Sequence, residues 1–239
     1  MTDTAQSGRE PIFNLPAPVL LLIATLLAIY AGQAYILGPQ AQLDFNIWFA
    51  FVPLRLYYPN EVPGGLWPLI WTPFTHALLH ANWPHVLINS AWLMVFGTPV
   101  ARRYGALRFF VAFALSSAIG AFAFTLLHAQ TEAVLVGASG GISGLTGVAV
   151  RFIFQPIIMG IDPESEQPVA LGRKLATIRE VFANSRSRAL TLIWIVLNAL
   201  TPILPMTMGV DAQIAWQAHL GGFLAGFFLA PLLETRRAA

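Results

Sequence analysis

The stretch "LVGASGGISGLTG", residues 135–147, sets two serines among five glycines. The chain around it is strongly apolar, with 56% hydrophobic and 10% charged residues over 239 positions. A soluble domain of this length would carry roughly a quarter charged residues. We therefore interpret the chain as an integral membrane protein and the stretch as part of a lipid-embedded helix. Glycines allow such helices to pack closely, but the serines require a further explanation.

Composition excludes several classes of function. Cysteine is absent, so disulfides, cysteine-based zinc sites and thiol nucleophiles are ruled out. A net charge of +2 is too small to suggest nucleic acid as a partner. The polar N-terminal stretch is too long for the basic region of a signal peptide, and we expect the first apolar run to be retained as a membrane span.

Apolar runs long enough to cross ~30 Å of hydrocarbon predict an all-α membrane protein with a bundle of six transmembrane helices. No repeat or linker divides the chain, so we expect one membrane domain over 17–234, between a polar tail at 1–16 and a second tail at 235–239. The predicted spans are 17–37, 84–101, 107–127, 138–158, 189–205 and 215–233.

Basic residues sort to one side of these spans, and the positive-inside rule makes that side cytoplasmic. Both termini are then cytoplasmic, Arg55 alone lies outside, and Arg151 is expected to snorkel to the inner face. The compact six-span form favours a bacterial inner membrane. The residues on the cytoplasmic side are Arg9, Arg102, Arg103, Arg108, Arg173, Lys174, Arg179, Arg186, Arg188, Arg236 and Arg237.

Two connections are long. The outer loop at 38–79 is rich in aromatic residues and prolines, a composition that predicts a partly helical segment lying in the membrane interface. The cytoplasmic loop at 159–188 is interpreted as a solvated connector, with a short surface helix at about 170–184 as a further possibility.

Polar side chains in the spans are few, and in lipid each is a candidate functional group. Spans two, four and six run in the same direction, and Asn89, Ser139 and His219 all fall in their outer third. His85 lies one turn before Asn89 on the same helix face. A serine with an imidazole in reach is the minimum for nucleophilic catalysis.

The remaining parts of a hydrolase can be assigned in outline. His85 and Asn89 can donate to an oxyanion, together with backbone N–H groups at the start of span four. Gly137 and Gly140 flank Ser139 and let a substrate strand approach closely. No carboxylate lies within the spans except at the cytoplasmic edge of the last, so we predict a Ser–His dyad, with His219 held by a group other than a carboxylate.

Three motifs together resemble the rhomboid family of intramembrane serine proteases. They are "HALLHANWPHVLIN" at 76–89, "GASG" at 137–140 and "AHLGGFLAGF" at 218–227. The similarity extends from about Trp71 to Phe228. Each motif alone is weak, but the three occur in the family's order and on the expected spans.

The resemblance implies a function and a set of residue roles. Ser139 would be the nucleophile on a short fourth helix, His219 the general base, and His85 and Asn89 the oxyanion site, with His80 in support. The substrate would be the transmembrane segment of another protein in the lipid bilayer, and no cofactor is expected.

The sequence departs from the family pattern at three positions. Ser143 stands four residues after the nucleophile, where many members have an aromatic ring that stacks on the histidine. Thr72 replaces an arginine after Trp71, and Ala101 stands where a glutamate is common. An alternative aromatic residue, or a hydrogen bond from Ser143, could orient His219 instead.

Other interpretations remain open. The glycines of spans four and six also suit close helix packing, and we assign His128 and Asn198 to structural roles. His76, His80 and His85 cluster, but without an HExxH pattern or a carboxylate they do not predict a metal site. The alternative to a protease is a catalytically silent relative that binds or escorts membrane clients. A transporter is disfavoured because the chain lacks charged residues at midplane and an inverted repeat.

Overall fold

The fold is built almost entirely from apolar helices. The computed structural model describes residues 14–162, 165–200 and 215–234, so the predicted tails fall largely outside the described residues. The α-helices are α1 (Ala17–Tyr35), α2 (Pro39–Phe49), α3 (Thr72–Thr75), α4 (Trp83–Trp92), α5 (Thr98–His128), α6 (Ser139–Val150), α7 (Ile178–Ala183), α8 (Ser185–Leu200) and α9 (Trp216–Leu233).

Among the described residues, three helical stretches are long and apolar enough to cross a membrane: Ala17–Tyr35, Trp83–His128 and Trp216–Leu233. The second joins α4 to α5 through a π-helical turn, Leu93–Gly97. Gly105 interrupts it with φ +74°, a backbone angle that favours glycine. That kink lies between the predicted spans two and three. The full count of six spans stays a prediction.

The prediction for span four was wrong at its C-terminal end. Helix α6 stops at Val150, whereas the apolar run had suggested a helix to residue 158. Twelve residues reach only about 18 Å at ~1.5 Å per residue. Arg151 follows and is buried, donating to the carbonyl oxygens of Ala176 at 2.8 Å and Phe227 at 2.7 Å. It therefore does not snorkel, and its guanidinium joins three segments.

The loop predicted over 159–188 contains most of a hairpin that the all-α prediction missed. Strands β1 (Ile157–Ile161) and β2 (Pro168–Arg173) pair antiparallel with a register shift after Ile158. The β-branched run that opens the hairpin suits a strand better than a helix. The surface helix suggested over 170–184 is confined to α7, which begins with a reciprocal cap between Thr177 and Glu180.

The segment between α1 and α4 is folded around one buried cation. Arg55 is fully buried and donates to the carbonyl oxygens of Ile47, Pro63 and Gly65. Trp71 donates from its indole nitrogen to the carbonyl of Trp48 at 2.7 Å. Arg55 therefore satisfies backbone carbonyls of this segment, in keeping with its burial.

Helices α6 and α9 meet backbone to backbone along what we call the glycine seam, made of Gly140, Gly144 and Gly147 of α6 with Gly222 and Gly226 of α9. An added Cβ at Gly222 would collide with the carbonyl oxygen of Gly140, and one at Gly226 with that of Gly144. Such close approach maximises van der Waals contact between membrane helices. The seam holds the starts of α6 and α9 next to each other.

Candidate active site

Ser139 and His219 come together at the end of the seam where both α6 and α9 begin. Ser139 is the first residue of α6, and His219 lies in the first turn of α9. The distance from Ser139 Oγ to His219 Nε2 is 2.7 Å. Both side chains are only partly buried, so water can reach the pair. A hydroxyl within hydrogen-bond reach of an imidazole meets the geometric requirement for an activated nucleophile.

His85 and Asn89 border the turn that precedes Ser139. A Cβ added at Gly137 would lie 2.8 Å from Nε2 of His85 and 3.7 Å from Nδ2 of Asn89. Gly137 itself has φ +121°, a conformation that side chains rarely adopt. The absence of a side chain thus lets two potential donors approach the backbone beside the nucleophile.

His80 supports this arrangement from the segment before α4. Nδ2 of Asn89 lies 3.0 Å from His80 Nε2, and both residues are buried. Since an amide nitrogen only donates, His80 must accept here with an unprotonated Nε2. The rings of His80 and His85 meet edge to face with centroids 4.9 Å apart. Burial, and after it the neighbouring His85, together lower the pKa of His80 to about 3.

The turn that carries Gly137 is bonded through its backbone to the segment between α1 and α4. Gly137 N–H donates to the carbonyl of His76 at 2.9 Å, and Leu135 exchanges two hydrogen bonds with Phe51. His76 is buried, and that burial lowers its pKa to about 4. The residues that lead into Ser139 are therefore held in place before α6 begins. The first N–H groups of α6 lack intrahelical partners.

The orienting partner of His219 is a residue that sequence reasoning had assigned to structure. Asn198 of α8 places Oδ1 at 2.7 Å from His219 Nδ1. Ser143 does not take this role: its hydroxyl donates to the carbonyl of Ser139 at 2.7 Å. One signal could have found Asn198. It is a carboxamide within an otherwise apolar predicted span, the same criterion that selected Asn89.

The histidines that cluster in the sequence before and within α4 have separate partners. Within residues 14–162, 165–200 and 215–234, no group of three or more His, Cys, Asp or Glu side chains is arranged to hold a metal ion. The one predicted histidine cluster is instead divided. His80 contacts Asn89 and His85, whereas Nδ1 of His76 bonds the carbonyl of Thr72 at 3.0 Å.

Comparison with known proteins identifies the family. The model of the Rhomboid domain matches residues 68–236. RHOMBOID-like protein 5 of Arabidopsis thaliana is 28% identical, covering 95% of this chain and 73% of the relative. YdcA of Bacillus subtilis is 28% identical over 89% of this chain and 94% of its own length. Rhomboid protease AarA of Providencia stuartii is 26% identical over 91% and 73%. The chain, an integral membrane protein by its apolar helices, therefore belongs to the rhomboid family.

Proposed function

We propose that this protein is an intramembrane serine endopeptidase that uses Ser139 as nucleophile and His219 as general base. The observation that carries the proposal is the 2.7 Å distance between Ser139 Oγ and His219 Nε2. Family membership and the name of the Providencia relative, a rhomboid protease, are consistent with it. We place the six spans with both termini in the cytoplasm, so that this pair opens toward the outer leaflet.

The chemistry follows the usual order for a serine hydrolase. Ser139 Oγ attacks a peptide carbonyl while His219 Nε2 takes its proton. The oxyanion that forms accepts hydrogen bonds from backbone N–H groups at the start of α6 and from His85 and Asn89, which border the same turn. His219 then returns the proton to the leaving amine, and water hydrolyses the acyl-enzyme by the reverse sequence.

The substrate we propose is a transmembrane segment of another protein. The active pair lies between apolar helices, so an extended peptide must reach it from the bilayer or its outer edge. Ser139 is only partly buried at the start of α6, which leaves its hydroxyl accessible to a substrate strand. Substrate helices with glycine or other weak helix formers would unwind most readily at the cleavage position.

Cleavage of a fluorescent transmembrane substrate in proteoliposomes tests this proposal. Wild-type protein should release the soluble fragment, while Ser139→Ala and His219→Ala should reduce the rate to the background of empty liposomes. Folding of all three proteins is checked by thermal unfolding in detergent. A folded wild type that binds the substrate segment without cutting it would instead identify a silent, client-binding relative.

A further inference from the structure

Asn198 is placed where a catalytic histidine needs a partner. Its Oδ1 lies 2.7 Å from Nδ1 of His219, on the opposite side of the ring from Ser139. Much of α8 is exposed, and among its described residues only Ser187, Thr191 and Asn198 are buried. Asn198 is thus the member of this buried face that reaches the active pair.

The orientation of the Asn198 amide follows from its second contact. Nδ2 lies 2.8 Å from the carbonyl oxygen of Trp194. A carbonyl only accepts, so the nitrogen must face Trp194 and the oxygen must face His219. Oδ1 in turn only accepts, which requires a proton on His219 Nδ1. Nε2 is then left as the base that faces the hydroxyl of Ser139.

We infer that Asn198 is a positioning residue that holds His219 in the tautomer and ring orientation needed to activate Ser139. The three residues then form a Ser–His–Asn triad. This inference rests on the proposed protease function. A neutral carboxamide suits the location, since a carboxylate in an apolar span would carry a large desolvation cost. The dipole of Oδ1 still favours the imidazolium that forms during attack.

Three variants test the role by steady-state cleavage. Asn198→Leu keeps the side-chain size but removes the acceptor, and we expect kcat to fall about 10- to 100-fold with little change in KM, as expected for loss of alignment. Asn198→Asp, as the neutral acid that burial favours, restores an oxygen acceptor and keeps a donor for the Trp194 carbonyl, so it should recover most of the loss. Thr191→Val is the matched control, because Thr191 lies on the same buried face but bonds only within its helix, to the carbonyl of Ser187. It should stay within about two-fold of wild type.

A second readout does not depend on activity. In protein labelled with ¹⁵N-histidine, the resonances of His219 are assigned by their loss in His219→Ala. The inference predicts a protonated Nδ1 and an unprotonated Nε2 in the wild type, and a redistribution of the two tautomers in Asn198→Leu. The wild-type spectrum is decisive even if Asn198→Leu does not fold.

Two results would overturn the inference, and each is distinct from failure of the proposed function. The first is a wild type in which Nε2 of His219 is protonated at rest, and the second is an Asn198→Leu variant that cleaves at the wild-type rate. Either would show that Asn198 does not position His219, while the protease assignment stands. A wild type with Nδ1 protonated that neither cleaves substrate nor reacts at Ser139 refutes the protease assignment, and with it the catalytic role of Asn198.

Discussion

Helices α6 and α8 both bring a polar group to His219 of α9, but they do so by different means. Helix α6 meets α9 backbone to backbone along the glycine seam. Helix α8 meets it through side chains, with Trp194 stacked on Phe223 at 6.4 Å between ring centroids and Asn198 bonded to His219. The position of Ser139 is therefore set by main-chain packing, whereas the orientation of His219 depends on individual side chains. Changes in the seam should disrupt fold and activity together, and changes on α8 should separate them.

The largest effect is expected in the seam itself. Gly222→Val places two methyl groups against the carbonyl of Gly140 and forces α6 and α9 apart. Because the obstacle is backbone and cannot rotate away, the loss should exceed the 1–3 kcal/mol typical of overpacking. Thermal unfolding in detergent should show a large fall in Tm, with cleavage lost in parallel.

Gly32 of α1 provides the matched control for the seam. No atom lies within 4 Å of a Cβ added there, so Gly32→Ala should keep full activity and gain about 0.5–1 kcal/mol in stability. If Gly222→Val retained the wild-type Tm and activity, the main-chain account of the Ser139 position would be refuted.

Asn89 of α4 should show a smaller effect, mainly on turnover. Asn89→Ala removes one proposed oxyanion donor, for which a loss of about 100-fold in kcat is expected. It also leaves His80 Nε2 without its partner, which should cost about 1–3 kcal/mol. Ser90→Ala is the control, because Ser90 is buried on the same helix but bonds only to the carbonyl of Val86. A fall in Tm large enough to account for the whole activity loss would contradict the transition-state role.

Trp194 tests the side-chain nature of the α8 contact. Its ring packs edge to face on Trp92 and Phe96 and stacks on Phe223. Aromatic pairs of this kind contribute about 0.5–1.5 kcal/mol each, so Trp194→Ala should loosen α8 and lower kcat several-fold. Leu192→Ala, at an exposed position of the same helix, should change kcat little. Equal losses in both variants would argue that α8 acts only through its bulk.

The last effect, absent at neutral pH, is an acid sensitivity of stability that arises before α4. Burial lowers the pKa of His76 to about 4 and that of His80 to about 3, from an ordinary value of 6.5. The unfolded chain then binds protons more readily than the folded one, so stability is present above pH 6.5 and declines as the pH falls toward 4. Each group should contribute about 1.4 kcal/mol per pH unit over that range.

The measurement for this prediction is Tm against pH in detergent. His80→Gln keeps an oxygen that can accept from Asn89 but does not titrate in this range, so its curve should be flatter than that of the wild type. Identical curves for the two proteins would show that His80 does not contribute to the acid sensitivity.

Sequence reasoning identified most of the residues that meet at the site, but it missed the contact between Asn198 and His219. Ser139, His219, His85 and Asn89 could be selected because polar groups in apolar spans are rare and because spans two, four and six share a direction. Asn198 lies on a span of opposite direction, so counting residues from the start of each helix left it out.

The missed parts of the fold have physical reasons as well. Hydropathy continues past Val150, so it gave no sign that α6 ends there and that Arg151 turns inward to bond the carbonyls of Ala176 and Phe227. Short apolar runs such as that of β1 do not distinguish strand from helix by pattern alone. Nor could composition show that Arg55 would be buried among loop carbonyls, because those contacts join residues 8 to 10 positions apart in an irregular segment.

Reaction with a fluorophosphonate tests the central claim most directly, since this reagent phosphonylates only a serine whose proton can be removed. Purified wild-type protein in detergent should gain one adduct, mapped by mass spectrometry to Ser139, and Ser139→Ala and His219→Ala should gain none. A folded wild type that forms no adduct, or an adduct that persists when Ser139 is replaced, would contradict the assignment of Ser139 and His219 as nucleophile and base.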